Sequence, residues 1–500
     1  MISGQSKYMK LKQIILSILT FISILYVTLS LLGSWSQPQI QSRLELYQTN
    51  LILQASEWQP QTEDRANLLT LRDNIIGKDP VNAALKQYQN VQESNYQNLQ
   101  RLQPNQPSQF SRGELAQTIG ELELRIGIIQ AVLGDSQKAI ATWESLISEN
   151  GNYPTSDTAE VLVGLWTEPP DIVADAEDIL QANLEGWFSF QTLAQLYTLQ
   201  NREDVLQQLN NQQQKTSENA VYKLAIVSAI PGFGLVSGII LSIILAVQWF
   251  LKREQAIINR NADVEWSVPW TAETIVQVFV LGFFLVGQLL IPLIFQLLGL
   301  RPAAGDVRLQ AFYILITYMI LVGGGLGVLY LSIKSFFPLP EGWFRFKLWD
   351  SWLLWGFGGY CVALPLVILT SLVNQRLWDG QGGSNPILPI ALENRDPVAL
   401  GIFFFTASIA APWFEEVLFR GFLLPSLTRY FSLWGAIIAS GLLFAVAHLN
   451  VSEILPLFVL GIVLGFVYTR SRNLWAPMLL HSLWNSGTLI SLYILGSGAN

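Results

Sequence analysis

GFGLVSGIILSIILAVQWFL, residues 232–251, runs for twenty residues without a charge. At about 1.5 Å of helix per residue it matches the ~30 Å hydrocarbon core of a bilayer. Before this stretch the chain is polar and acidic. After it the chain is apolar almost to its end. The expected fold is therefore all-α: a polytopic membrane helix bundle with an N-terminal, helical, tetratricopeptide-like soluble domain.

Composition supports the division. Of 500 residues, 51% are hydrophobic and only 13% charged, against roughly 25% charged in soluble domains. Eight further apolar stretches lie near 14–33, 276–298, 310–332, 353–373, 398–413, 433–448, 454–468 and 475–495. No small-residue cleavage site follows the first of them, so it reads as an anchor rather than a signal peptide. The expected boundaries are an anchor at 1–33, a soluble domain at 34–221 and a multi-pass domain at 222–500.

Charge placement gives an orientation. Lys7, Lys10 and Lys12 precede the anchor, which puts the N-terminus in the cytoplasm and residues 34–221 outside, in a periplasm or lumen. Lys252, Arg253, Arg260, Lys334, Arg345, Lys347, Arg429, Arg470 and Arg472 then also fall inside, and the C-terminus outside. Arg301 and Arg308 are the exceptions.

Residues 34–221 carry 11 Lys/Arg against 24 Asp/Glu, a balance of −13. Helix-favouring residues dominate, and Pro and Gly fall between blocks. ELRIGIIQAVLGDSQKAIATWESLI, 123–147, resembles a tetratricopeptide hairpin, with Gly127, Gly134, Ala139 and Trp143 at its small and bulky positions. A second turn near Asn201 lies 67 residues after Gly134, close to two periods. Such a domain suits a protein partner. The net charge of −8, with no basic patch interleaved with aromatics, argues against nucleic acid. Cys361 is the one cysteine, which excludes an internal disulfide or a Cys-ligated metal site.

The polar groups of the last hundred residues stand out. APWFEEVLFRGFLLPSL, 411–427, places Glu415, Glu416 and Arg420 inside an apolar run. A charge at a helix centre costs about 2.5–3.5 kcal/mol on insertion scales, so such groups face an interior or a wet cavity. Glu416 and Arg420, four apart, can pair on one face. Glu415 points elsewhere. The chain's two histidines, His448 and His481, follow within the same hundred residues, and Asn485 lies one turn beyond His481. A carboxylate beside a histidine can deprotonate water and later protonate an amine. An imidazole and an amide can donate to an oxyanion. Glu415, His448 and His481 are equally a three-ligand set for zinc. Both readings stay open on the residues alone. Gly461 and Gly465 form a GxxxG pair, read as helix packing.

These motifs, E-E-x-x-x-R (Glu415, Glu416, Arg420), F-x-x-x-H (Phe444 to His448) and H-x-x-x-N (His481 to Asn485), resemble those of the CPBP family of intramembrane proteases. That family includes the type II CAAX prenyl endopeptidases and bacteriocin-processing proteins. Flanking NPIL, FRGFLLPSL and LGIVLGFVYTRSRNLWAPMLLHSLWN agree. The resemblance implies a protease core at about 385–490 that hydrolyses peptide bonds of membrane-associated substrates. It implies Glu415 as the carboxylate that activates water, His448 as its assistant, and His481 with Asn485 as the oxyanion site. Glu416 and Arg420 would support the motif helix. No metal is required by this mechanism; zinc is the alternative. The acidic domain is not part of the shared core. The competing reading is a non-proteolytic membrane scaffold or chaperone that uses that domain to bind partners.

Overall fold

The computed structural model describes residues 2–35, 37, 41–101, 112–150, 154–300, 306–378, 381–385, 387–388, 390 and 396–496. Among them all regular structure is helical, and no strand occurs. The chain forms two compact units, Ile40–Ile230 with Leu492–Asn500, and Met1–Gln39 with Pro231–Ser491. The expected boundary at 221/222 falls inside one unbroken helix, Glu203–Lys252. Composition changes along that helix, and Pro231, which has no N–H to give its ladder, lies inside it.

The acidic unit is a succession of helices. Arg112–Val132 and Ser136–Asn150 form the hairpin expected at 123–147. Gly134 turns the chain at φ +86, a left-handed value that costs glycine little. Trp143 is fully buried, and its indole donates to the Leu124 carbonyl at 3.2 Å. It fits because residue 127 is glycine: a Cβ there would lie 2.2 Å from the indole nitrogen. Pro154–Trp166 is followed by Ala176–Asn183, and Gly186–Leu199 turns through Asn201 into Glu203–Lys252. Three helical hairpins therefore follow one another. The tetratricopeptide assignment itself goes beyond that geometry.

Among the described residues, seven helices are long and apolar enough to span a bilayer: Leu11–Trp35, Glu203–Gln255, Ala272–Leu297, Val307–Phe336, Trp352–Trp378, Pro397–Leu427 and Val451–Ser471. The chain is thus a multi-pass membrane protein. Leu433–Val446 has only 14 residues. Trp475–Gly496 has 22, several of them polar.

The interhelical loops sort into two ends. At one, Arg429 donates to the carbonyls of Val268 and Trp270 at 3.1 and 2.7 Å. There Asn261 reaches the Arg470 carbonyl at 2.6 Å, Leu474 N–H the Arg345 carbonyl at 3.0 Å, and Asn473 the Lys347 carbonyl at 2.6 Å. Lys12 pairs with Glu273 at 2.9 Å. At the other end Arg308 pairs with Asp396 at 2.6 Å, and Val451 N–H donates to Ser34 Oγ at 3.1 Å. Leu433–Val446 therefore carries the chain from the Arg429 end toward the Ser34 end despite its length. Arg301 lies outside the described residues, as does Pro386 of the NPIL stretch.

Candidate active site

The segment expected to stop near 413 continues to Leu427. It alternates α and π geometry: Pro397–Phe405 α, Thr406–Ala410 π, Ala411–Glu416 α, Val417–Leu423 π, Leu424–Leu427 α. Asp396 caps its start by accepting from the N–H groups of Val398 and Ala399. π turns gather at functional positions because they re-aim side chains and loosen carbonyls from the helix. Here two of them bracket the Glu415-Glu416 pair.

Glu416 and Arg420 are wholly buried and paired at 2.9 Å. Their charges do not end the helix because each is answered. Arg420 also donates to the Gly461 carbonyl at 3.1 Å and lies over the Phe444 ring at 4.5 Å. The Glu416 oxygen that takes Arg420 also takes His481 Nδ1, at 2.9 Å. One ion pair thus ties together Pro397–Leu427, Leu433–Val446, Val451–Ser471 and Trp475–Gly496. Close approach of the middle two needs glycine: a Cβ on Gly461 would lie 2.9 Å from the Gly441 Cα.

Glu415 sits differently. Its side chain is 16% exposed. Oε1 accepts from the Tyr318 hydroxyl at 3.2 Å. Oε2 is buried with no hydrogen-bond partner in the protein and stands 4.0 Å from His481 Nε2. His481 therefore lies between the two carboxylates, with one ring nitrogen bonded to Glu416 and the other turned to Glu415.

His448 is half-buried just past the end of its helix. Its Nδ1 bonds the Phe444 carbonyl at 2.8 Å. A carbonyl oxygen only accepts, so Nδ1 carries the proton and Nε2 of the neutral ring is left as an acceptor. Phe444 lies edge-on to both histidines, 4.9 Å from His448 and 5.6 Å from His481. Asn485 gives one amide hydrogen to the Ala407 carbonyl, inside the first π turn, at 2.7 Å; its second remains to donate. Glu415, Glu416, Arg420 and His481 thus meet directly, with His448 joined through Phe444. Among the described residues no hydrogen bond or ion pair links His448 or Asn485 to Glu415.

Among the described residues no three His, Cys, Asp or Glu side chains are grouped to hold a metal ion. Glu415, His448 and His481 do not make such a group.

Two contributors escaped the sequence. Tyr318, 97 residues upstream of Glu415, is one of three tyrosines in its helix, and nothing local separates it from Tyr313 and Tyr330. Glu453, the third acidic residue of the last hundred, accepts from the Asn385 N–H at 2.8 Å and faces Asn450 at 3.5 Å.

Residues 397–487 match the family described as type II CAAX prenyl endopeptidase Rce1-like. This segment resembles that family. All seven motif residues fall within the matched segment, and Tyr318 falls outside it. The chain is 24% identical over 138 residues to the candidate membrane peptidase YdiL of Bacillus subtilis (strain 168), covering 28% of this chain and 55% of that one. It is 27% identical over 143 residues to the membrane-embedded CAAX protease MroQ of Staphylococcus aureus (strain USA300), covering 27% and 56%. The chain thus spans about half the length of these curated relatives. No solved structure matches it.

Proposed function

We propose that the chain is an intramembrane endopeptidase that hydrolyses peptide bonds of membrane-associated proteins or peptides with water activated by Glu415. The observation that carries this reading is the unpartnered Glu415 Oε2 standing 4.0 Å from His481 Nε2. One water fits at about 2.8 Å from both atoms, the ordinary hydrogen-bond length. Tyr318 fixes the other carboxylate oxygen, so the free one is held in a single orientation.

In the reaction Glu415 takes a proton from this water as its oxygen bonds to the substrate carbonyl carbon. Negative charge moves to the carbonyl oxygen. His481 donates to it from Nε2, and Asn485 from its second amide hydrogen. The C–N bond then breaks as Glu415 returns the proton to the leaving amine. His448, with Nε2 left as an acceptor, serves to orient the water. Glu416 and Arg420 position His481 and the helix. No step is routed through a metal: among the described residues no three His, Cys, Asp or Glu side chains are grouped to hold one.

The names of the two relatives and the Rce1-like match support the reaction class. The gathering of basic loops at one end supports placing that end in the cytoplasm and the Ser34 end outside. Glu415 then lies about 18 Å of helix from the basic end of its span. The test is cleavage of a peptide library by the protein in lipid vesicles. Wild type is expected to cut, and Glu415→Gln to lose activity at least 100-fold while melting at the same temperature. Equal cleavage by both would overturn the role of Glu415.

A further inference from the structure

The Ile40–Ile230 unit holds a cavity of about 440 Å³, within the range of small-ligand sites. Its lining includes five glutamines, Gln54, Gln181, Gln208, Gln212 and Gln213, one carboxylate, Glu185, and no basic residue. Positions 205, 208, 209, 212, 213 and 216 of this lining fall on one face of the helix Glu203–Lys252.

Two of these amides are out of balance with their surroundings. Gln54 is 2% exposed, and neither its amide nitrogen nor its oxygen has a hydrogen-bond partner. Gln213 is 6% exposed, and its amide nitrogen has none. Folded proteins rarely leave buried polar groups unpaired. The cavity opens beside Gly186, at φ +56, whose Cβ, if present, would stand 3.7 Å from the Gln54 oxygen.

We infer that this cavity binds a short extended peptide segment, basic in character, through hydrogen bonds from its backbone to the Gln54 and Gln213 carboxamides. A carboxamide offers a donor and an acceptor side by side. Its natural complement is another amide, and a peptide backbone supplies one at every residue. Apolar positions among the glutamines, Phe190, Leu193 and Leu209, suit small side chains between those bonds. Glu185 and the −13 balance of residues 34–221 disfavour acidic segments. The inference holds whether or not Glu415 cleaves peptides.

The test uses the full-length chain in detergent micelles, immobilised and carrying Glu415→Gln so that no probe is consumed. The probe is a pool of capped random octapeptides lacking Asp and Glu, with a second pool lacking Lys and Arg. Retained peptides are counted by mass spectrometry. The first pool should be retained at least tenfold more than on a column bearing Gln54→Leu and Gln213→Leu, and at least tenfold more than the second pool. Without peptide, the leucine variants should melt at or above the parent temperature, because each removes an unpaired buried amide. Equal retention on parent and variant, or equal retention of both pools, would overturn the proposal. So would a lower melting temperature in the leucine variants, which would make these glutamines part of the fold. Gln208→Leu with Gln212→Leu, at the exposed edge of the same lining face, must weaken retention too; unchanged retention there counts against the site.

Discussion

Replacing Arg420 by leucine should be among the most damaging single changes in the membrane unit. Both members of the Glu416–Arg420 pair are wholly buried. Removing the cation leaves the Glu416 carboxylate with His481 alone, frees the Gly461 carbonyl, and takes a cation off the Phe444 ring. Breaking one side of a buried pair costs about 3–5 kcal/mol. For a unit of this size each kcal/mol moves the midpoint by roughly 2–4 °C. The expected fall is therefore roughly 6–20 °C, read by tryptophan fluorescence during a thermal ramp in detergent micelles. Replacing both partners, Glu416→Gln with Arg420→Leu, should recover at least half of the loss, because no charge is then stranded. A single variant that melts within 2 °C of wild type would refute the reasoning. So would a double variant that is worse than the single.

Tyr318→Phe removes the hydroxyl on Glu415 Oε1 without changing shape, and should lower kcat about tenfold, equivalent to about 1.4 kcal/mol, at unchanged KM; steady-state kinetics on any cleaved peptide would show it. Gly461→Val pushes side-chain atoms into Gly441 and should cost about 1–3 kcal/mol, seen as a lower melting temperature, while Gly327→Ala, with open space around it, should not. At Asp396, the Ala399 and Val398 N–H groups and the Arg308 ion pair hold the carboxyl below the ordinary carboxylate range. A lowered acid pKa stabilises the fold above the unfolded value, about 4, and loses that contribution as pH falls through the folded value. The melting difference between wild type and Asp396→Ala should therefore be present at pH 7 and shrink below about pH 4.

The apolar runs, the acidic domain and the Glu416–Arg420 pair were all legible in the sequence, because each rests on local spacing. Gly127 and Trp143 were legible for the same reason: one hairpin places them opposite each other. The residues of the candidate site could be named from the sequence, but not their geometry. His481 spends Nδ1 on Glu416, a contact across 65 residues that no local pattern encodes. Tyr318 was invisible because its partner lies on another helix. The end of the helix bearing Glu415 was misplaced at 413. Polar residues in an apolar run suggest a stop, yet mutual neutralisation by Arg420 and His481 lets the helix run on to Leu427. The boundary expected at 221/222 falls within the helix Glu203–Lys252, along which composition shifts.

The central claim is that Glu415 activates water without a bound metal. Its most direct test is the cleavage rate of wild type and Glu415→Gln in lipid vesicles, each with and without a chelator. The account predicts cleavage by wild type at the same rate in chelator, and none above background by Glu415→Gln. A wild-type rate abolished by chelator and restored by zinc, or a Glu415→Gln variant that cuts like wild type, would contradict it.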